Sequence, residues 1–190
     1  MSWIKAWEDV LDPKDCKRIC EEAERCVSRF MTYPRRRPDQ GSEASNADFD
    51  PLRDSEYEDH DSYQVMQREA MPPTLRTLIC DSLLRSTMTT SALYFQLNRY
   101  RRGDYVLPHR DTCPQGILSL TASERDGLNI EAEPGHVQRM SDRPGRLVIH
   151  APQAWHWVDP VSSPVRYTLV TIPHIVPRWA TTSEACGQNP

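Results

Sequence analysis

His109 and Asp111 stand two residues apart at the end of the run Tyr100 to Asp111, YRRGDYVLPHRD. In an extended segment that spacing puts both side chains on one face. A neutral imidazole and a carboxylate on one face are two of the three groups of a 2-His-1-carboxylate triad, which holds Fe(II) and leaves coordination positions open. The third ligand has to come from a distant strand. His156, in QAWHWVDPVSSPVRYTLV, is the best placed, and His150, six residues earlier, is its rival. Downstream, Arg166 and Thr168 alternate onto one face of the last long strand, with Val170 and Ile172 continuing it. A guanidinium taken into a core needs an anionic partner, because leaving it unpaired would cost several kcal/mol.

The elements that must position these residues are mostly strands. After Ser91 the pattern reads as Ala92 to Arg99, Asp104 to Asp111, Ile117 to Ser123, Leu128 to Glu133, His136 to Met140, Arg146 to Ala151, Ala154 to Val158 and Val165 to Ile172. Gly103-Asp104, Asp126-Gly127, Pro134-Gly135 and Pro144-Gly145 supply turns. Eight short strands of this kind predict a mainly β (α+β) fold, a double-stranded β-helix or jelly roll. Upstream, Trp3 to Trp7 could be a short strand. Asp12-Pro13 starts a helix that should run to about Phe30, with Cys16, Ile19, Cys20, Ala23, Cys26, Val27 and Phe30 as its apolar stripe. A second helix follows Pro72-Pro73, with Leu75, Leu78, Ile79, Leu83 and Leu84 as its buried face. Both helices are expected to cover one sheet from outside.

Between them, Met31 to Tyr63 lacks periodic apolar positions and carries nine acidic residues from Asp39 to Asp61. It reads as loop, either a solvated insertion or a lid over a binding site. The expected organisation is one domain over 1–190, with helical support and the lid-like loop 31–63 in 1–91, a jelly-roll core in 92–176 and a tail in 177–190.

A formal net charge of −4 leaves no global basic field and argues against broad binding to nucleic acid, with Arg35-Arg36-Arg37 a local exception. The N-terminus lacks a basic segment followed by an apolar run, and no stretch approaches membrane-spanning length, so a soluble, cytoplasmic protein without membrane contact is expected. The six cysteines show no zinc-ribbon or knuckle spacing and read as reduced thiols.

From about Leu93 to Ile172 the chain resembles the Fe(II)/2-oxoglutarate-dependent dioxygenases of the prolyl-4-hydroxylase-like group. Their pattern is a Tyr nine residues before the first metal His, then His-x-Asp, a distal His, an Arg ten residues on, and Ser or Thr two further. Tyr100, His109, Asp111, His156, Arg166 and Thr168 stand at those offsets. The resemblance implies His109, Asp111 and His156 as iron ligands. It implies Tyr100, Arg166 and Thr168 as the cradle for the distal carboxylate of 2-oxoglutarate, a planar match for a guanidinium fork. The Arg166 distance favours His156 over His150, which takes a position usually apolar or aromatic in that group.

The implied reaction consumes O₂ and oxidatively decarboxylates 2-oxoglutarate to succinate and CO₂ while a substrate is hydroxylated. Because Asp111 is present where halogenating relatives carry a small residue, hydroxylation or a related oxidation is favoured. A small molecule such as an amino acid or biosynthetic intermediate is the expected substrate. A peptide or protein side chain is the alternative, as is a non-catalytic jelly-roll metal-binding module or an iron oxygenase that does not use 2-oxoglutarate. The acidic loop would attract a cationic substrate, whereas Arg35 to Arg37 and Arg101-Arg102 would hold a carboxylate. Tyr105, Leu107, Cys113, Trp155 and Trp157 are candidates for lining the site, and His60, His136 and His174 have no partner pattern.

Overall fold

Asp12 accepts a hydrogen bond from the Lys14 amide at 2.7 Å and, with Pro13 at the first turn, starts α1, Pro13–Arg25. The computed structural model describes residues 3–32, 63–85, 95–111 and 114–171. Ahead of α1 lies strand β1, Ile4–Trp7; after it come a 3-10 turn over Val27–Arg29 and strand β2, Met31–Thr32. Strand β3, Gln64–Gln67, and a second 3-10 turn lead into α2, Pro73–Arg85. The remaining strands are β4 Phe95–Arg101, β5 Val106–His109, β6 Gln115–Ser119, β7 Ser123–Glu133, β8 His136–Asp142, β9 Leu147–His150, β10 Trp155–Val158 and β11 Val165–Thr171.

Two antiparallel sheets face each other, one of seven strands in the order β1-β9-β6-β11-β4-β3-β2 and one of four in the order β5-β10-β7-β8. This is the jelly-roll arrangement expected for the strand pattern. The outer face of the larger sheet is apolar: Phe95, Leu97, Leu118, Leu147, Ile149 and Leu169 pack with Cys16, Ile19 and Ala23 of α1 and Leu75, Ile79 and Leu83 of α2. The inner faces form a second core, in which Tyr100, Ile117 and Val148 of the larger sheet meet Leu128, Ile130 and Val158 of the smaller. The last strand thus buries both faces, and VRYTLVT reads as a nearly continuous run because Tyr167 and Leu169 serve the outer core while Arg166 and Thr168 point between the sheets.

Several expected boundaries move. Helix α1 stops at Arg25, five residues short, because Cys26 leaves helical geometry (φ −123°, ψ 31°) and the turn that follows carries Phe30 back into the core. Leu84 is 52% exposed, one position past the buried stripe of α2. Met31 and Thr32, read as the start of the loop, pair with Val65 and Gln64. Asp126-Gly127 is not a turn; it sits within β7 where the register with β8 slips between Ser123 and Gly127, a bulge. Residues 33–62, the rest of that loop up to Tyr63, lie outside the described residues. Cys16, Cys20, Cys26 and Cys80 are free thiols, and burial pushes those of Cys16 and Cys20 up to about 12, so they stay protonated. No described helix is long and apolar enough to cross a membrane.

The turn from β8 to β9 fixes the N-terminal segment to the larger sheet. Gly145 has φ +86°, its amide donates to the Ser119 carbonyl at 2.9 Å, and its own carbonyl accepts from the Val10 amide at 2.8 Å. A Cβ here would fall 2.2 Å from the Leu11 carbonyl oxygen. Gly145→Ala is therefore expected to cost at least the ~1–3 kcal/mol of a left-handed non-glycine residue. Thermal denaturation should show the midpoint fall by about 2–12 °C for a chain of this size.

Candidate metal centre

Strand pairing brings the histidines together. His109, the last residue of β5, is the direct partner of His156 in β10, and the two rings lie 4.0 Å apart. Asp111 follows two residues past the end of β5. One ligand atom from each of His109, Asp111 and His156 lies within 4.8 Å of the others.

The hydrogen bonds of the two rings fix their tautomers. His109 Nδ1 is 2.9 Å from the Leu107 carbonyl and His156 Nδ1 is 3.0 Å from the Ala154 carbonyl. A carbonyl only accepts, so each Nδ1 carries the proton and each Nε2 presents a lone pair, the outer-shell pattern of metal-binding imidazoles. Burial, helped by the neighbouring His156, pushes the His109 pKa down to about 4, so the ring is neutral at neutral pH.

The decisive contact is between Asp111 Oδ2 and His156 Nε2, which are 3.2 Å apart. Asp111 Oδ2 is buried and has no hydrogen-bond partner. Two lone-pair atoms facing each other in a water-poor site repel unless a cation joins them. Adjacent ligands on an octahedral ion with bonds of about 2.1 Å are separated by about 3.0 Å, so the donor set fits a divalent metal.

His150, in β9, is fully buried, with its ring 4.2 Å from that of His156. Its Nδ1 is 3.0 Å from the Ala151 carbonyl, and its Nε2 has no hydrogen-bond partner. Burial, then the His156 ring, pushes its pKa down to about 4. It neighbours the His109, Asp111 and His156 group without being one of the three.

On the facing sheet Arg166 is the direct partner of Tyr100, and its guanidinium carbon lies 4.8 Å over the Tyr100 ring. Thr168 stands between Asn98 and Ser119 in register, and its Oγ1 is buried without a partner. Tyr100 stacks on Tyr63 at 5.2 Å and accepts from Asn98 Nδ2 at 3.4 Å. The anionic partner that the buried guanidinium requires is present in the chain. Arg166 donates through Nε to Asp142 Oδ2 at 2.5 Å and through Nη2 to Asp142 Oδ1 at 3.1 Å.

No family model matches the chain, and no curated protein does. Solved structures do. A prolyl-4-hydroxylase from Pseudomonas putida superimposes with a TM-score of 0.57 at 15% identity, covering 89% of this chain and 90% of its own. A prolyl hydroxylase from Trichoplax adhaerens, solved with a hypoxia inducible factor oxygen degradation domain peptide fragment, gives 0.59 at 12% identity, covering 95% and 87%. SnoN, a non-haem alpha-ketoglutarate-dependent epimerase from nogalamycin biosynthesis, gives 0.58 at 13% identity, covering 89% and 76%. The jelly-roll fold is shared with these three enzymes. At these identities the likeness is one of fold.

Two residues of this region carried no signal in the sequence. Asp142 closes β8 in SDRPG, which reads as a polar approach to a turn, and Ser119 ends β6; Ser119 Oγ donates to Asp142 Oδ1 at 2.9 Å. Of the expected lining residues, Trp155 and Trp157 alternate with His156 and face away from the metal group. Arg110 lies 4.4 Å over Trp155, and Trp157 Nε1 donates to Asp159 at 3.1 Å. Tyr105 is buried, Leu107 is half-buried, and His136 is exposed at the start of β8. Arg101 and Arg102 are exposed, the first 3.6 Å from Asp104 and the second donating to the Ser162 carbonyl at 3.1 Å. Cys113, Ile172, Arg35 to Arg37, His60 and His174 lie outside the described residues.

Proposed function

We propose that the chain is an Fe(II)-dependent oxygenase with 2-oxoglutarate as cosubstrate, hydroxylating a small molecule such as an amino acid or biosynthetic intermediate. The observation that carries this reading is the bare apposition of Asp111 Oδ2 and His156 Nε2 beside the His109 ring, a donor set that needs a cation. In this reading His109, Asp111 and His156 hold the iron, and residues 1–190 act as one catalytic domain. Iron with a 2-oxo acid and O₂ supplies the oxidation of an unactivated C–H bond when bound there.

The chain's own part is positioning and exclusion of water. The Leu107 and Ala154 carbonyls hold the two imidazoles in the ligating tautomer. Asp111 supplies the negative charge that two neutral rings lack. Ile130 is the direct partner of His156 in register and belongs to the same core as Leu128, Val148 and Val158, so hydrocarbon lies beside the buried imidazole. Tyr100, Thr168 and Arg166 lie on the facing sheet, where the far end of the cosubstrate would rest.

The test is turnover of the Fe(II)-loaded protein with 2-oxoglutarate and O₂ across a panel of free amino acids and short peptides. The reading expects succinate to form in step with O₂ uptake, accelerated by one free small molecule and not by the peptides. Iron binding without consumption of any 2-oxo acid would leave a metal-binding module instead.

A further inference from the structure

Arg166 is 1% exposed, and the side chain of its partner Asp142 is 1% exposed. The carboxylate comes from β8 of the smaller sheet, whereas Arg166 and the Ser119 hydroxyl that also binds it come from the larger sheet. Each carboxylate oxygen is engaged: Oδ2 by Nε, and Oδ1 by Nη2 and by Ser119 Oγ. The cradle already holds a bidentate carboxylate with a hydroxyl donor, and the pair is electrically neutral. An incoming distal carboxylate would find the guanidinium charge cancelled. It would place a second negative charge beside Asp142 in an interior where opposed like charges are poorly screened. Against that repulsion the pocket offers the Thr168 hydroxyl, buried without a partner, and Arg166 Nη1, which takes no part in the bonds to Asp142.

We propose that Asp142 determines cosubstrate specificity: it supplies from within the chain the carboxylate that pairs Arg166, and so makes the pocket indifferent to whether a 2-oxo acid carries a distal carboxylate. This rests on the oxygenase reading above, and it names the class of cosubstrate as short 2-oxo acids with charged or neutral tails. Asp142 acts through Arg166 and touches neither metal nor the reacting carbon.

The experiment is an anaerobic titration of the Fe(II)-loaded protein, following the visible metal-to-ligand charge-transfer band that chelation by the 2-oxo acid end produces whatever the tail. The two probes are 2-oxoglutarate and 2-oxopentanoate, the same five-carbon chain with a methyl in place of the distal carboxyl. Wild type should bind them within about threefold of each other, because the attraction of the remaining Arg166 donor for a distal carboxylate is offset by repulsion from Asp142. Asp142→Asn should gain about tenfold to a hundredfold for 2-oxoglutarate alone, the value of such bonds once Arg166 is freed. As a readout independent of iron, glutarate should raise the thermal midpoint of Asp142→Asn and leave wild type unmoved. A wild-type preference for either probe beyond about threefold overturns the proposal without any variant, as does an unchanged ratio in Asp142→Asn. Failure of both probes to produce a band with iron bound would defeat the oxygenase reading itself, and the proposal with it.

Discussion

Asp111→Ala is expected to abolish iron-dependent turnover and to weaken divalent-metal binding by more than about 100-fold. Loss of a mere outer-shell partner commonly costs about 10–100-fold, and this change removes a ligand together with the only anionic charge of the group. His109 and His156 would remain as two neutral imidazoles, each with its Nδ1 proton on a backbone carbonyl. The stability of the metal-free protein should not suffer. The carboxylate makes no hydrogen bond through Oδ2 and faces the His156 lone pair at 3.2 Å, so its removal relieves a repulsion. Isothermal titration with Co(II), alongside thermal denaturation of the apo protein, separates the two effects. A variant that lost both metal affinity and fold would make Asp111 a structural residue.

The second large effect is on folding. Arg166→Met should destabilise the protein by about 3–5 kcal/mol, because it leaves the Asp142 carboxylate buried without its countercharge. For a domain of this size that lowers the thermal midpoint by about 6–20 °C. The double replacement Arg166→Met with Asp142→Leu should recover most of the loss, since two apolar side chains of similar volume can replace a buried ion pair at little cost. A double-mutant cycle by chemical denaturation measures this coupling. Equal and additive losses from the two single changes would mean that the pair contributes only packing. Any defect that Arg166→Met shows in cosubstrate use has to be corrected for this instability.

The strands that build the centre were legible because their chemistry repeats with a period of two. His109 with Asp111, and Arg166 with Thr168, are assigned to common faces by their spacing alone, and the inward placement of Arg166 and Thr168 follows from that alternation. The helices were legible from their apolar stripes, with ends less certain: Phe30 is buried as the stripe requires, but through a 3-10 turn rather than a longer α1. Strands β2 and β3 left no signal, since Met31 and Thr32 form two residues of edge pairing and β3 reads Gln-Val-Met-Gln, polar at both ends. The Asp126-Gly127 dipeptide has turn chemistry, yet its backbone lies against Met140 in a bulge, where a Cβ would come 2.2 Å from the Met140 carbonyl oxygen.

Asp142 was invisible for a different reason. Its link to Arg166 joins two sheets across 24 residues of sequence, and nothing in the local pattern of SDRPG specifies which sheet the carboxylate will meet. The need of Arg166 for an anion was readable, but its source was not. His150 shows the same limit from the other side. Its sequence position raised it as a rival to His156, and only the folded arrangement separates a ring in direct register with His109 from one stacked behind it.

The most direct measurement is an anaerobic Fe(II) titration of wild type, His156→Ala and His150→Phe, reading stoichiometry and affinity. One iron per chain in wild type and in His150→Phe, with binding lost in His156→Ala, is the predicted result. Tight binding retained in His156→Ala and lost in His150→Phe would contradict the His109, Asp111 and His156 centre.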